Sequence, residues 1–293
     1  MTDLFPGFAS HWIDTPSGRI FARSAGDGPP VVLVHGFPQT HVCWHRIAPD
    51  LAKTLTVVAM DLRGYGWSSV PRSDSGHATY SKRAMGEDVV AVMAELGHAT
   101  FALVGHDRGA RVGYRLALDH PGRLTRLVLL DILPTVHVWR QIRAGTFPGA
   151  HWEFLSRPQP EPETTIGRDP VPYFEGLMAK WTGSGKLDAF DPRALQAYRL
   201  GFNETSRIHA FCEDYRAGAT VDLAQDEADL AAGRTIACPV AAFWGRFYLT
   251  GAGASPLDVW RATFAPDATG EEIPDSGHFV AEENPGATLA ALQ

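Results

Sequence analysis

The stretch that most constrains this chain is Phe101-Ala102-Leu103-Val104-Gly105-His106-Asp107-Arg108-Gly109-Ala110-Arg111. An apolar run of strand character stops at Gly105, and a helix pattern begins at Arg108. Between them stands G-x-D-x-G, the spacing of a nucleophile elbow, with aspartate where many such elbows carry serine. So tight a turn admits only small residues on its flanks, which accounts for the two glycines. It holds the central side chain above the sheet edge at the N-terminus of the next helix, where backbone N–H groups favour an ionised carboxylate. The bland alternative makes Asp107 a helix cap, and the partners supplied by the rest of the chain weigh against it.

The chain of 293 residues suits one large domain, or one domain with an insertion. A hydrophobic share of 45% with 20% charged residues describes a globular protein. The start, MTDLFPGFAS, has no basic region followed by an apolar one, so no secretory leader is expected. No apolar run approaches a membrane span. Cys43, Cys212 and Cys238 are scattered and odd in number, which points to a reducing cytoplasm and packing roles, without disulfides or metal sites. The net charge of −7 argues against a nucleic-acid partner. It also means that an anionic substrate needs a local cationic pocket.

Alternation over Arg19–Arg23 predicts an edge strand, and Val31–Val34 reads as a buried one. The latter runs into His35-Gly36-Phe37-Pro38-Gln39-Thr40, the kind of loop that keeps half of an oxyanion hole in this architecture. The backbone N–H groups of Phe37 and Arg108 are the candidate donors. Thr56–Met60 predicts another strand, followed by a structured loop with Asp61 and Arg63 in structural roles. Tyr80–Leu96 has helical spacing, with Met85, Val89, Val92 and Leu96 on one face. In the helix after the elbow, Gly109 and Gly113 form a smooth face for packing on the sheet. Leu124–Ile132 reads as a strand carrying Asp131 at its end.

From about Val136 strand-like runs give way to aromatic residues and helical stretches, broken by a Pro-rich loop over 157–172. Strand texture returns at Val240–Gly245 and again around Gly270–Ile273, just before His278. The fold expected is α/β: an α/β-hydrolase fold with a mostly parallel central sheet and an inserted helical cap. The division expected is core over 1–135, cap over 136–222 and core again over 223–293.

An elbow aspartate is a poor acyl acceptor, but it can attack a saturated carbon, expel a leaving group and form an alkyl ester. Hydrolysis of that ester needs a base for water, an orienter for the base and an oxyanion hole. His278, after the last strand, holds the place of the base in the order nucleophile, acid, histidine. It is one of 12 histidines, and its position in that order singles it out. The loop after Gly245 offers no carboxylate before Asp258, so Asp131 is the candidate acid. The bland alternative for Asp131 is a turn cap.

Arg108 and Arg111 oppose the helix dipole at roughly 0.3–1 kcal/mol each. They read as a two-arginine clamp for a substrate carboxylate, the alternative being pairing with Asp107 or Asp131. Arg115 reads as structural.

The chain resembles the fluoroacetate dehalogenases of the α/β-hydrolase superfamily over nearly its whole length. The resemblance is most specific in His35–Thr40, Gly105–Arg111, Leu130-Asp131-Ile132-Leu133-Pro134, His151-Trp152 and Cys212-Glu213-Asp214-Tyr215-Arg216. It implies that Asp107 displaces fluoride, that Arg108 and Arg111 bind the carboxylate, and that Asp131 and His278 complete the triad. It further implies that His151, Trp152 and Tyr215 receive the halide, that Trp181 shapes the pocket wall, and that the protein is a homodimer needing no cofactor or metal. Fluoride is strongly hydrated, so its departure calls for several donors in a dry pocket, and an imidazole, an indole and a phenol supply three. Taken without the resemblance, these three side chains read as cap core. The loop Arg246-Phe247-Tyr248-Leu249-Thr250 departs from the family pattern in its bulk.

Two other functions compete. An epoxide hydrolase uses the same elbow aspartate, with cap tyrosines as acids, but leaves the arginine pair without a purpose. A ligand receptor on the same fold would not need the complete set Asp107, Asp131 and His278.

Overall fold

A computed structural model of the chain describes residues 3–147, 149–249 and 254–293. Among the described residues eight strands form one sheet: β1 (Ala9–Thr15), β2 (Gly18–Ala25), β3 (Pro30–Val34), β4 (Thr56–Met60), β5 (Phe101–His106), β6 (Leu124–Leu130), β7 (Val240–Gly245) and β8 (Glu272–Ile273). Their spatial order is β1-β2-β4-β3-β5-β6-β7-β8. The β1–β2 and β2–β4 pairs are antiparallel, and every pairing from β4 across to β8 is parallel.

The central strands read as continuous apolar runs because helices cover both faces of the sheet. Val32, Leu33, Val34, Val57, Val58, Leu103 and Leu127 are all fully or almost fully buried. The chain leaves β3 toward β4 on one side and returns to β5 on the other. The crevice at the carboxyl ends of β3 and β5 is therefore the switch point at which open α/β sheets bind ligands. Phe37 follows the first of these strands and Asp107 the second.

One expectation is corrected. The strand around Arg19–Arg23 is not the sheet edge, because β1 pairs along its outer side from Ala9 to Thr15. Only Ile13 of β1 is buried, so the strand lacks the apolar alternation that would reveal it. The loop after β4 is structured as expected, with Asp61 and Arg63 in structural roles through separate partners. Asp61 accepts the backbone N–H groups of His41 at 2.7 Å and Trp67 at 2.8 Å. Arg63 pairs with Asp88 at 2.6 Å.

Among the described residues no strand lies between β6 and β7. That span holds helices, of which Ala150–Leu155, Pro170–Trp181 and Thr205–Ala219 bear on the site. Their aromatic residues pack inward. Phe174, Phe202, Phe211 and Tyr215 are buried, and the Phe37 ring from the core meets Phe174, Phe211 and Tyr215 edge-on at 5.8, 5.6 and 5.2 Å. No helix among the described residues is long and apolar enough to cross a membrane.

Candidate active site

The elbow has the geometry its glycines require. A Cβ at Gly105 would stand 2.5 Å from Ala110 Cα, and one at Gly109 would stand 2.1 Å from the Val34 carbonyl oxygen. Asp107 itself sits at φ 43°, ψ −113°, a conformation that costs an L-residue on the order of 1–3 kcal/mol. Its side chain makes no capping hydrogen bond to the helix Arg108–Asp119, which removes the cap alternative. Instead its Oδ2 accepts the backbone N–H of Phe37 at 3.0 Å. The other expected donor, the N–H of Arg108, belongs to the first residue of that helix.

His278 Nε2 lies 4.0 Å from Asp107 Oδ2. Its Nδ1 lies 2.5 Å from Asp131 Oδ2, and the remaining Asp131 oxygen accepts the Gly245 N–H at 2.9 Å. The imidazole is fixed from the backbone as well: His278 N–H donates to the Trp181 carbonyl at 2.8 Å, and His106 Nε2 donates to the His278 carbonyl at 2.7 Å. The structure thus brings together an aspartate, a histidine and a second aspartate drawn from the ends of β5, β8 and β6.

Their charges follow from burial and from one another. Burial opposes the charge on Asp107, but the His278 imidazole and then the Arg108 and Arg111 guanidiniums outweigh it and hold the carboxyl well below the usual range. Burial takes His278 down to about 4, against the pull of Asp107, so at neutral pH it is an uncharged base. Burial also lifts the Asp131 carboxyl, while the Gly245 N–H counteracts it.

The two arginines occupy different places. Arg111 lines the cavity beside Asp107 and is anchored through Nη1 to the Leu133 carbonyl and the Thr135 hydroxyl, each at 3.0 Å. Its Nε has no hydrogen-bond partner. Arg108 is fully buried beside that cavity without lining it. Its guanidinium carbon stands 3.5 Å from the centre of the Tyr215 ring and 4.6 Å from that of Trp152. Its nearest carboxylate is Asp214, at 3.6 Å, which also takes Lys82 and the Tyr65 hydroxyl. Arg115 bridges Asp119 and Asp229 at 2.8 and 2.6 Å, in the structural role expected of it.

His151, Trp152 and Tyr215 converge. Ring centres lie 5.8 Å apart for Trp152–Tyr215, 5.9 Å for His151–Tyr215 and 6.3 Å for His151–Trp152. Burial, then Arg108, takes His151 down to about 3, so it is a neutral donor. Burial raises the Tyr215 phenol, which keeps its proton. Trp181 stands between His151 and His278, at 4.7 and 5.6 Å. All four line one cavity with Asp107, Arg111, Asp131 and His278. The volume open to the centre of a water molecule there is about 20 Å³, room for one or two waters at roughly 10–15 Å³ each.

Sequence reasoning did not place Val138, Phe147, Tyr248 and Leu249 on this wall. Tyr248 stood out only as a bulky residue in a loop, since a loop has no period from which its inward face can be read. Thr250, the last residue of that stretch, lies outside the described residues. Among the described residues, no group of three or more His, Cys, Asp or Glu could hold a metal ion.

The family described as alpha/beta hydrolase fold matches residues 29–285. A fluoroacetate dehalogenase from Burkholderia sp. is 41% identical over 291 residues, spanning 99% of this chain and 94% of the other. A soluble epoxide hydrolase from Corynebacterium sp. (strain C12) is 30% identical over 275 residues, spanning 91% and 90%. Among solved structures, a Nostoc sp. protein described as an alpha/beta hydrolase superposes with a TM-score of 0.91 at 48% identity, covering 97% of this chain and 96% of that one.

Proposed function

The chain belongs to the fluoroacetate dehalogenase family of the α/β-hydrolase superfamily, and from that premise we propose that it hydrolyses the carbon–halogen bond of small 2-haloacids, fluoroacetate to glycolate and fluoride foremost. One observation carries the reading. A single small buried cavity is faced at once by the Asp107 carboxylate, the Arg111 guanidinium and the His151, Trp152 and Tyr215 rings. A two-carbon acid with a charge at one end and a halogen at the other uses each of them.

In this reading residues 136–222 form a cap over a core of 1–135 and 223–293. Arg111 at the cavity wall and Arg108 behind it offset the repulsion between the anionic nucleophile and an anionic substrate. Asp107 attacks the carbon that bears the halogen. The carbon–halogen bond breaks and the halide leaves with the electron pair, solvated by the His151, Trp152 and Tyr215 donors. An ester now joins Asp107 to the acid fragment.

His278 Nε2 then takes a proton from water, and the hydroxide attacks Cγ of Asp107. The oxyanion formed there meets the Phe37 N–H, which in the resting site lies 3.0 Å from Asp107 Oδ2. Asp131 steadies the imidazolium through Nδ1. Collapse of the intermediate expels the hydroxyacid oxygen, which takes the proton from His278, and restores the Asp107 carboxylate. The balance is haloacetate plus water to glycolate, halide and a proton.

An epoxide hydrolase shares the ester step, but an uncharged epoxide makes no use of Arg111 in the cavity. The test is halide release from fluoro-, chloro- and bromoacetate, with Asp107→Ala alongside and an aryl epoxide as the alternative substrate. Halide release that disappears in Asp107→Ala is expected. Turnover of the epoxide without halide release overturns the reading.

A further inference from the structure

We propose that Tyr248 sets the size limit on the substituent at the carbon Asp107 attacks, so that the cavity admits a two-carbon acid and excludes acids branched at that carbon. The inference rests on the haloacid reading above and adds to it a residue that determines specificity.

The directions around the attacked carbon decide which wall matters. Displacement puts the halogen opposite Asp107, on the side of His151, Trp152 and Tyr215. The carboxylate points toward Arg111, with Leu133 and Thr135 behind the guanidinium. The two remaining bonds, to hydrogen in a haloacetate, face the wall beside His278. There the Tyr248 ring lies over the imidazole, 4.4 Å between centres and tilted by 39°. The Trp181 ring meets it edge-on at 6.2 Å, and Leu249 continues the surface.

This wall is held in place from the core. Phe247 N–H donates to the Ser276 carbonyl at 3.1 Å, which binds the Tyr248 loop to the loop that carries His278. Tyr248 N–H reaches back to the Gly245 carbonyl at 3.4 Å, and Gly245 N–H is held by Asp131. The backbone that carries the ring is therefore tied to the segments that carry the base and its orienter. A methyl branch turned toward this wall must displace an aromatic ring, and close-packed walls yield little.

The test compares chloroacetate with 2-chloropropionate in wild type, Tyr248→Ala and Tyr248→Phe. The quantity read is the rate at which each substrate alkylates Asp107, followed by mass spectrometry in a single turnover. That step does not use His278, so it stays readable even where loss of the ring disturbs the base and stalls turnover. Tyr248→Ala is expected to raise the ratio of 2-chloropropionate to chloroacetate alkylation at least tenfold, the lower end of what one methyl group is worth in a fitted pocket. Tyr248→Phe should leave the ratio within about twofold of wild type. An unchanged ratio in Tyr248→Ala overturns the proposal, as does a Tyr248→Phe ratio that rises with it, because that traces the effect to the hydroxyl and not to bulk. Failure of wild type to form any ester on Asp107 with either acid is a separate result, and it overturns the haloacid reading itself.

Discussion

His278 faces Asp107 across 4.0 Å and touches Asp131 at 2.5 Å. The first distance is too long for a hydrogen bond and the second is a short one. His278, the proposed base, is therefore tied to Asp131 and not to Asp107, whose charge is set by the surrounding field and whose Oδ2 is met by the Phe37 N–H.

This separation divides the two half-reactions. On the proposed mechanism, displacement at carbon needs an ionised Asp107 and no base, whereas hydrolysis of the ester needs His278. His278→Asn is expected to release one equivalent of halide and stop, leaving Asp107 heavier by the acid fragment. Mass spectrometry of the treated variant reads this directly. An unmodified variant that also fails to turn over contradicts the division.

The same geometry gives a pH dependence. Burial lowers His278 to about 4, and the Asp107 carboxylate is the main influence resisting that fall. In the proposed mechanism esterification removes the Asp107 charge, so in that intermediate the imidazole goes lower still. A depressed histidine keeps its base form as pH falls below the ordinary value of 6.5. Ester hydrolysis should then stay flat from pH 8 down to ~5. Stopped-flow measurement of the second step across that range is the check, and an acid limb near 6.5 would show that the imidazole is solvated in the working enzyme.

Much of this site was legible in the sequence because it rests on local sterics and chain order. Gly105 and Gly109 announce a turn into which no Cβ fits, and the positions of Asp131 and His278 follow from strand order. What escaped was set by contacts between distant segments. β1 offers one buried side chain, Ile13, and so no pattern. The stacking of Arg108 on Tyr215 and that of Tyr248 on His278 join residues more than a hundred and about thirty positions apart in turn, with no periodicity to signal either. That Arg111 lines the cavity while Arg108 lies behind an aromatic ring was likewise invisible in their i,i+3 spacing.

The arginines yield a prediction that uses this difference. Arg111 faces the cavity with an unpartnered Nε, so it should carry the direct contact to the substrate carboxylate. Arg111→Lys keeps the charge and loses the planar fork. It is expected to weaken fluoroacetate binding by ~1.5–3 kcal/mol, the usual worth of a charge-assisted hydrogen bond, read as a higher KM. Arg108→Gln, which removes the positive charge that supports the ionisation of Asp107, should lower the rate as well. For the wild type, fluoroacetamide should be a poor substrate. Equal turnover of acid and amide removes the clamp.

The leaving group supplies the last prediction. His151, Trp152 and Tyr215 converge within 6.3 Å of one another between ring centres, and burial keeps the first a neutral imidazole and the last a protonated phenol. If they solvate departing halide, their worth must track how strongly that ion needs hydrogen bonds. Bromide is larger, softer and a better leaving group than fluoride, so it needs less. Trp152 and Tyr215 also present their ring faces to the Arg108 guanidinium, at 4.6 and 3.5 Å. Tyr215→Phe keeps the aromatic face there and deletes only the donor, and Trp152→Phe deletes the indole N–H while keeping most of the aromatic volume. Each lost donor should cost roughly 1–3 kcal/mol where the ion is left poorly satisfied. Both variants are therefore expected to slow defluorination of fluoroacetate much more than debromination of bromoacetate. The ratio of the two chemical-step rates, taken from single-turnover kinetics in wild type and variant, is the measurement. A common factor for both halides would mean that these rings act by packing alone and that any preference for fluoride lies in another part of the cavity.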